Sequence, residues 1–252
     1  MLSVKHHELP PDSASVHTDR LLVTRRDPSS RQYLPVGFLM CADDSYRFAY
    51  LRSAVARPGF QPLPGLRWVD RAYQSERLFP VFAERVLSSR RPDRREALAV
   101  LGLPETAAPF EVLVNTGGRS VGDAVELLPA PTAAADGSLL MHFLVHGVRH
   151  MTSAAQARIS LLQPGEHLLL QPEPDNPANT RAQLVTDDER LALGYVPDPL
   201  LPVLDMMNAP HASVLRANNE HVGFHLRLAV QVEGNIGAGR DAFVGPQWDL
   251  TE

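Results

Sequence analysis

The 252 residues carry a formal charge of −5, 44% hydrophobic content and a single cysteine, Cys41. That size allows one large or two small packed domains, and one cysteine excludes an internal disulfide or a cysteine-based metal cluster. No run reaches the roughly 18 apolar residues of a membrane span, and MLSVKHHELPPDSAS lacks the charged-then-apolar pattern of a leader, so a cytoplasmic protein with no membrane contact is expected.

The charge is unevenly spread. Residues 1–137 hold 17 Lys+Arg against 16 Asp+Glu, and residues 138–252 hold 7 against 13. Lys5 is the only lysine; with so much Ala, Leu and Pro this points to a GC-rich, bacterial coding sequence.

In chain order, residues 1–32 are polar and without sustained period, and read as an arm or poorly ordered entry strand. VGFLMCADDSYRFAYL reads as a β-hairpin turning at Asp43-Asp44-Ser45, with Tyr46, Phe48 and Tyr50 alternating against Arg47 and Ala49. GFQPLPGLRW is a proline-broken loop. SERLFPVFAERVLSS sets Leu78, Val81, Phe82, Arg85 and Val86 at helical spacing, with Ser75 as N-cap and Pro80 tolerable only in a first turn. A second helix is expected from Pro92 or Asp93 to Leu101, stopped by Gly102. A third starts at Pro109 and stops at Gly117-Gly118, and a strand-like VGDAVELLP follows.

PAPTAAADGS, residues 129–138, has the composition of a linker. Beyond it LLMHFLV, HLLLQ, AQLVT, LALGYV and GFHLRLAVQV read as short strands, interrupted by one helix in DPLLPVLDMMN. The expected architecture is therefore α+β in two small domains, a hairpin-plus-helices module over 33–128 and a curled β-sheet or barrel over 139–235. Residues 236–252 are expected as a tail.

Three C-terminal segments, HGVRHM, QPEPDNPANTRAQLV and LGYVPDPLLPVL, resemble the HIRAN family in order and spacing. Pro174, Asp175, Asn176 and Pro177 make a rigid, self-bonding corner before the next strand. The resemblance implies an OB-like fold that binds single-stranded DNA at a 3′ end. It places Arg149, His150 and Met151 on the positions that contact the terminal nucleotide and Asn176 on a matching asparagine. Asn179 falls where the family has an aspartate, and Met151 where it has a second aromatic. His221 and His225 join His150 as candidates for base stacking or phosphate contact.

The N-terminal half resembles the N-terminal subdomain of HipA-like proteins, through the hairpin, YQSERLFPVFAERVLSSRRPDRREALAVLGL and APFEVLVNTGGRSVGDAVEL. No kinase body follows, so the resemblance implies a module that contacts a protein partner, such as a toxin kinase or a DNA-processing enzyme. Arg85, Arg90, Arg91, Arg94 and Arg95 form the densest basic run, either a solvated helix face or a patch for phosphate or an acidic partner.

Seven of the ten histidines lie between His142 and His225. On one strand His142 and His146 would stand about 13 Å apart, too far for one ion, so no metal and no cofactor is expected. Ser120, Asp123 and His142 have no nucleophile elbow, metalloprotease pair or phosphate loop around them. The expectation is a non-catalytic DNA-binding adaptor; the alternative is a protein-interaction or antitoxin-like module without DNA binding.

Overall fold

A computed structural model describes residues 18–43, 45–88, 91–119 and 124–252. The N-terminal half builds a five-stranded antiparallel sheet from β1 (Arg20–Arg26), β2 (Tyr33–Ala42), β3 (Ser45–Tyr50), β4 (Tyr73–Ser75) and β5 (Val125–Pro129), in the order β4-β3-β2-β1-β5. The expected hairpin is β2–β3, with Cys41 opposite Tyr46 and Leu39 opposite Phe48. Its turn residue Asp44, like Ser120 and Asp123, lies outside the described residues.

Within the stretch expected as an arm, Arg20–Arg26 is an inner strand of this sheet. Leu21 and Val23 pack on one face with Leu39, Phe48 and Leu127, while Leu22 packs on the other with Phe38 and Leu128. A strand covered on both faces shows no apolar–polar alternation, and RLLVTRR shows none.

Helices α1 (Arg52–Val55), α2 (Pro80–Ala83), α3 (Arg94–Val100) and α4 (Pro109–Thr116) complete this half. The helix expected across 75–89 is a single turn that starts at Pro80, because Ser75 is the last residue of β4 and pairs with Tyr46. The other two helices run as read: Asp93 is the N-cap of α3, and Gly117, in the left-handed region, closes α4.

The C-terminal half forms a seven-stranded sheet in the order β10-β9-β8-β11-β12-β7-β6. Its strands are β6 (Thr132–Ala133), β7 (Ser138–Leu144), β8 (His167–Pro172), β9 (Gln183–Thr186), β10 (Ala192–Tyr195), β11 (Asn208–Ala217) and β12 (Leu228–Asn235), with helices α5 (Ser153–Ile159) and α6 (Leu201–Leu204). All pairings in both sheets are antiparallel. The barrel allowed by the sequence is not closed. The sheet curls only far enough for one two-way bridge, His146 with Tyr195, to join the end of β7 to β10.

Residues 129–138, expected as a linker, contain β6, which pairs with β7, and a buried Ala130. Residues 236–252, expected as a tail, run back across the N-terminal half. Leu250 bridges Leu51, Arg52 N–H donates to Asp249 O at 2.8 Å, and Thr251 N–H donates to Tyr50 O at 2.8 Å. Phe243 and Trp248 pack their rings on Phe38 at 5.1 and 6.1 Å.

One apolar core therefore draws Leu22, Phe38, Leu51 and Leu128 together with Met141, Phe143, Val230 and Val232. Arg216 on β11 adds a polar tie. Its guanidinium is buried, donates to Leu101 O at 2.7 Å and has its pKa pulled down to about 10 by desolvation, so it keeps its charge at neutral pH.

Candidate nucleic-acid interface

Where β7 ends, the chain turns sharply through Gly147 (φ 76°) into a 3-10 turn, Val148–His150. Val148 is buried and anchors the turn, which leaves Arg149 and His150 exposed at its tip. The turn is braced from beneath by Gly194, whose φ is 147° and whose Cα lies so close to the bridge that an added Cβ would meet His146 O at 2.4 Å. Gly194→Ala should therefore push β10 off the turn and cost about 1–3 kcal/mol of stability. A urea midpoint equal to that of the unmodified chain would contradict this account.

Arg149 and His150 open into a cleft of about 530 Å³, lined also by His146, Phe224, His225 and, from the N-terminal half, Arg26, Tyr33 and Arg119. No Asp or Glu lines it among the described residues. Glu126 on β5 is 1% exposed and sits behind two of the lining side chains. Its Oε1 lies 2.9 Å from His146 Nε2 and 3.8 Å from Arg119 Nη1. Burial opposes the Glu126 charge, but His146, Arg119 and His225 outweigh it and hold the carboxyl below its ordinary pKa. His225 is pushed down by burial and by Arg119. The cleft thus presents cationic and aromatic side chains in a chain whose C-terminal half is acidic overall.

The other sequence-derived residues have different surroundings. Met151 packs against the core. Asn176 organises its own corner: its Oδ1 accepts from the N–H groups of Ala178 (3.0 Å) and Asn179 (3.2 Å), and its Nδ2 donates to Glu173 Oε2 at 2.6 Å. Asn179 donates to Asp198 Oδ1 at 2.8 Å and lines a second cavity, of about 460 Å³. His221 is exposed and is not among the residues lining the first cleft.

In the basic run, Arg91 pairs with Asp93 and Arg95 with Glu105, while Arg85 and Arg94 donate to backbone carbonyls of Val81 and Leu87. Arg90 lies outside the described residues. Among the described residues no cluster of three His, Cys, Asp or Glu could hold a metal ion, and no helix is long and apolar enough to cross a membrane.

Arg26, Tyr33, Arg119 and Glu126 escape the sequence reading because they come from the end of β1, the start of β2, the loop after α4 and the strand β5, which lie far apart in the chain. One signal was present: a lone glutamate in VELLP, a strand buried at every position. A buried acid needs a cationic partner.

No family model and no curated protein matches the chain. Two solved structures are similar to part of it. A crystal structure of a protein from Lactobacillus plantarum matches at 22% identity with a TM-score of 0.31, covering 39% of this chain and 100% of that one. The crystal structure of the HIRAN domain of human HLTF matches at 17% identity with a TM-score of 0.28, covering 44% of this chain and 80% of that one.

Proposed function

We propose that the chain is a non-catalytic adaptor that binds single-stranded DNA or a DNA 3′ end through the turn Gly147–Met151, with its N-terminal half also contacting a protein partner. The observation that carries the reading is the cleft in front of that turn. There Arg149, His150, Phe224 and His225 meet without a facing carboxylate among the described residues. Single-strand sites combine such cations, which neutralise phosphate, with rings on which bases stack. The few cations keep the salt dependence shallow.

Fluorescence-anisotropy titration of labelled single strands with free and phosphorylated 3′ ends, beside the matching duplex, tests it. The free-ended single strand should bind tightest, and Arg149→Ala should weaken it about ten-fold. Equal absence of binding to all three would remove the DNA reading.

The acidity of residues 138–252 and the inward packing of Met151 favour a second reading, a protein-interaction or antitoxin-like module. Recovery of one stoichiometric protein partner and no nucleic acid would support it.

A further inference from the structure

Three residues of the cleft's wall, Arg26, Tyr33 and Arg119, belong to the N-terminal half. Arg26 and Tyr33 are opposite residues at the last rung of the β1–β2 ladder, and opposite side chains in an antiparallel pair share one face. Arg119, just past α4, donates from Nη2 to the Tyr33 hydroxyl at 3.2 Å and sits 5.8 Å from its ring centroid. The ring stands at 59° to His146, with centroids 5.8 Å apart. Next to it, Gln32 Nε2 donates to Ala178 O at 3.2 Å, which docks the β1–β2 turn on the Pro-Asp-Asn-Pro corner.

Tyr33 lines both cavities, the basic cleft on one side and the cavity that holds Asn179 and Arg57 on the other. Volumes of about 530 and 460 Å³ are each in the range that accommodates a small-molecule-sized group. Met151, turned into the core, leaves His150 as the one ring at the tip of the 147–151 turn.

We propose that Tyr33 is the stacking platform of this site and that Arg26 and Arg119 are its phosphate contacts, so that a single strand crosses the seam between the two halves with bases in both cavities. This rests on the single-stranded DNA reading above. It gives the N-terminal half a direct share in the nucleic-acid site, and it places that share in residues that none of the three C-terminal segments contains. A separately folded C-terminal half would lack the platform.

The test uses the full chain and a short labelled thymidine oligonucleotide. Tyr33→Leu keeps apolar bulk and should bind about ten-fold more weakly, whereas Tyr33→Trp keeps a ring and should stay within about two-fold. Arg26→Gln should lower the slope of log K against log salt by about one.

Tyr33→Leu and Tyr33→Trp binding alike, with Arg149→Ala weakened, would overturn the platform and leave the DNA reading in place. No binding by the unmodified chain would remove both. If Tyr33→Leu does not fold, the Arg26→Gln slope decides, and an unchanged slope counts against the proposal.

Discussion

Phe38→Ala is expected to lower stability by about 3–5 kcal/mol, the range for deleting a buried aromatic ring, and to do so for both halves at once. Phe38 is fully buried on β2, with Phe243 at its edge, Trp248 beyond and the Arg20 guanidinium 3.7 Å above its ring centroid. Those partners come from the two ends of the described chain. Truncating the ring opens a cavity beneath a half-buried cation and loosens the return segment 236–252.

The same core holds Met141, Phe143, Val230 and Val232, so far-UV circular dichroism and tryptophan fluorescence should give one coincident urea transition for the unmodified chain and for the variant. Two separated transitions, or a loss under about 1 kcal/mol, would mean that the halves fold independently and that the aromatic cluster only latches them.

Glu126→Gln should cost about 3 kcal/mol at neutral pH, the scale for breaking a buried charge pair, and should also change how stability depends on pH. The Glu126 pKa is lower in the folded than in the unfolded chain. Its contribution is therefore fully present above the unfolded value near ~4.5 and is lost as pH falls through the folded value.

His142 and His225 act at higher pH. Burial pushes both imidazoles down, assisted at His225 by Arg119. The unfolded chain takes up these protons first, so stability begins to fall below about pH 6.5 and falls again below about 4.5. In urea midpoints measured across this range the variant should keep the first decline and show a shallower second one, because Asp27, Asp93, Asp136 and Glu166 are also held below the ordinary carboxylate pKa. A variant curve that stays parallel to the unmodified one below pH 4.5 would show that another carboxylate is responsible.

Much of the local structure was legible. The β2–β3 hairpin follows from alternation around an Asp-Asp-Ser turn, and α3 and α4 follow from Asp93, Pro109 and Gly117 at their ends. Local chemistry sets those features. Arg149 and His150 were singled out by the resemblance carried by the HGVRHM segment, not by periodicity, and both stand exposed in the turn after Gly147.

Other elements carry no local signature. β11 went unread because Pro210, a positive φ at Ala209 and two register shifts break its alternation. β1 went unread because both of its faces are covered. The ion cluster of Arg158 with Glu166 and the buried Asp187 joins α5 to two separate turns, and no spacing in the sequence announces it.

The sequence by itself determined the β2–β3 hairpin, the ends of α3 and α4 and the strand-rich character of the C-terminal half, since each depends on backbone preferences over a few residues. Only the tertiary structure decided that residues 129–138 and 236–252 are packed, that Glu126 lies behind His146 and Arg119, and that Tyr33 stands between two cavities. Those features depend on which faces meet when two sheets share one core, and that is set by long-range burial rather than by neighbours in the chain.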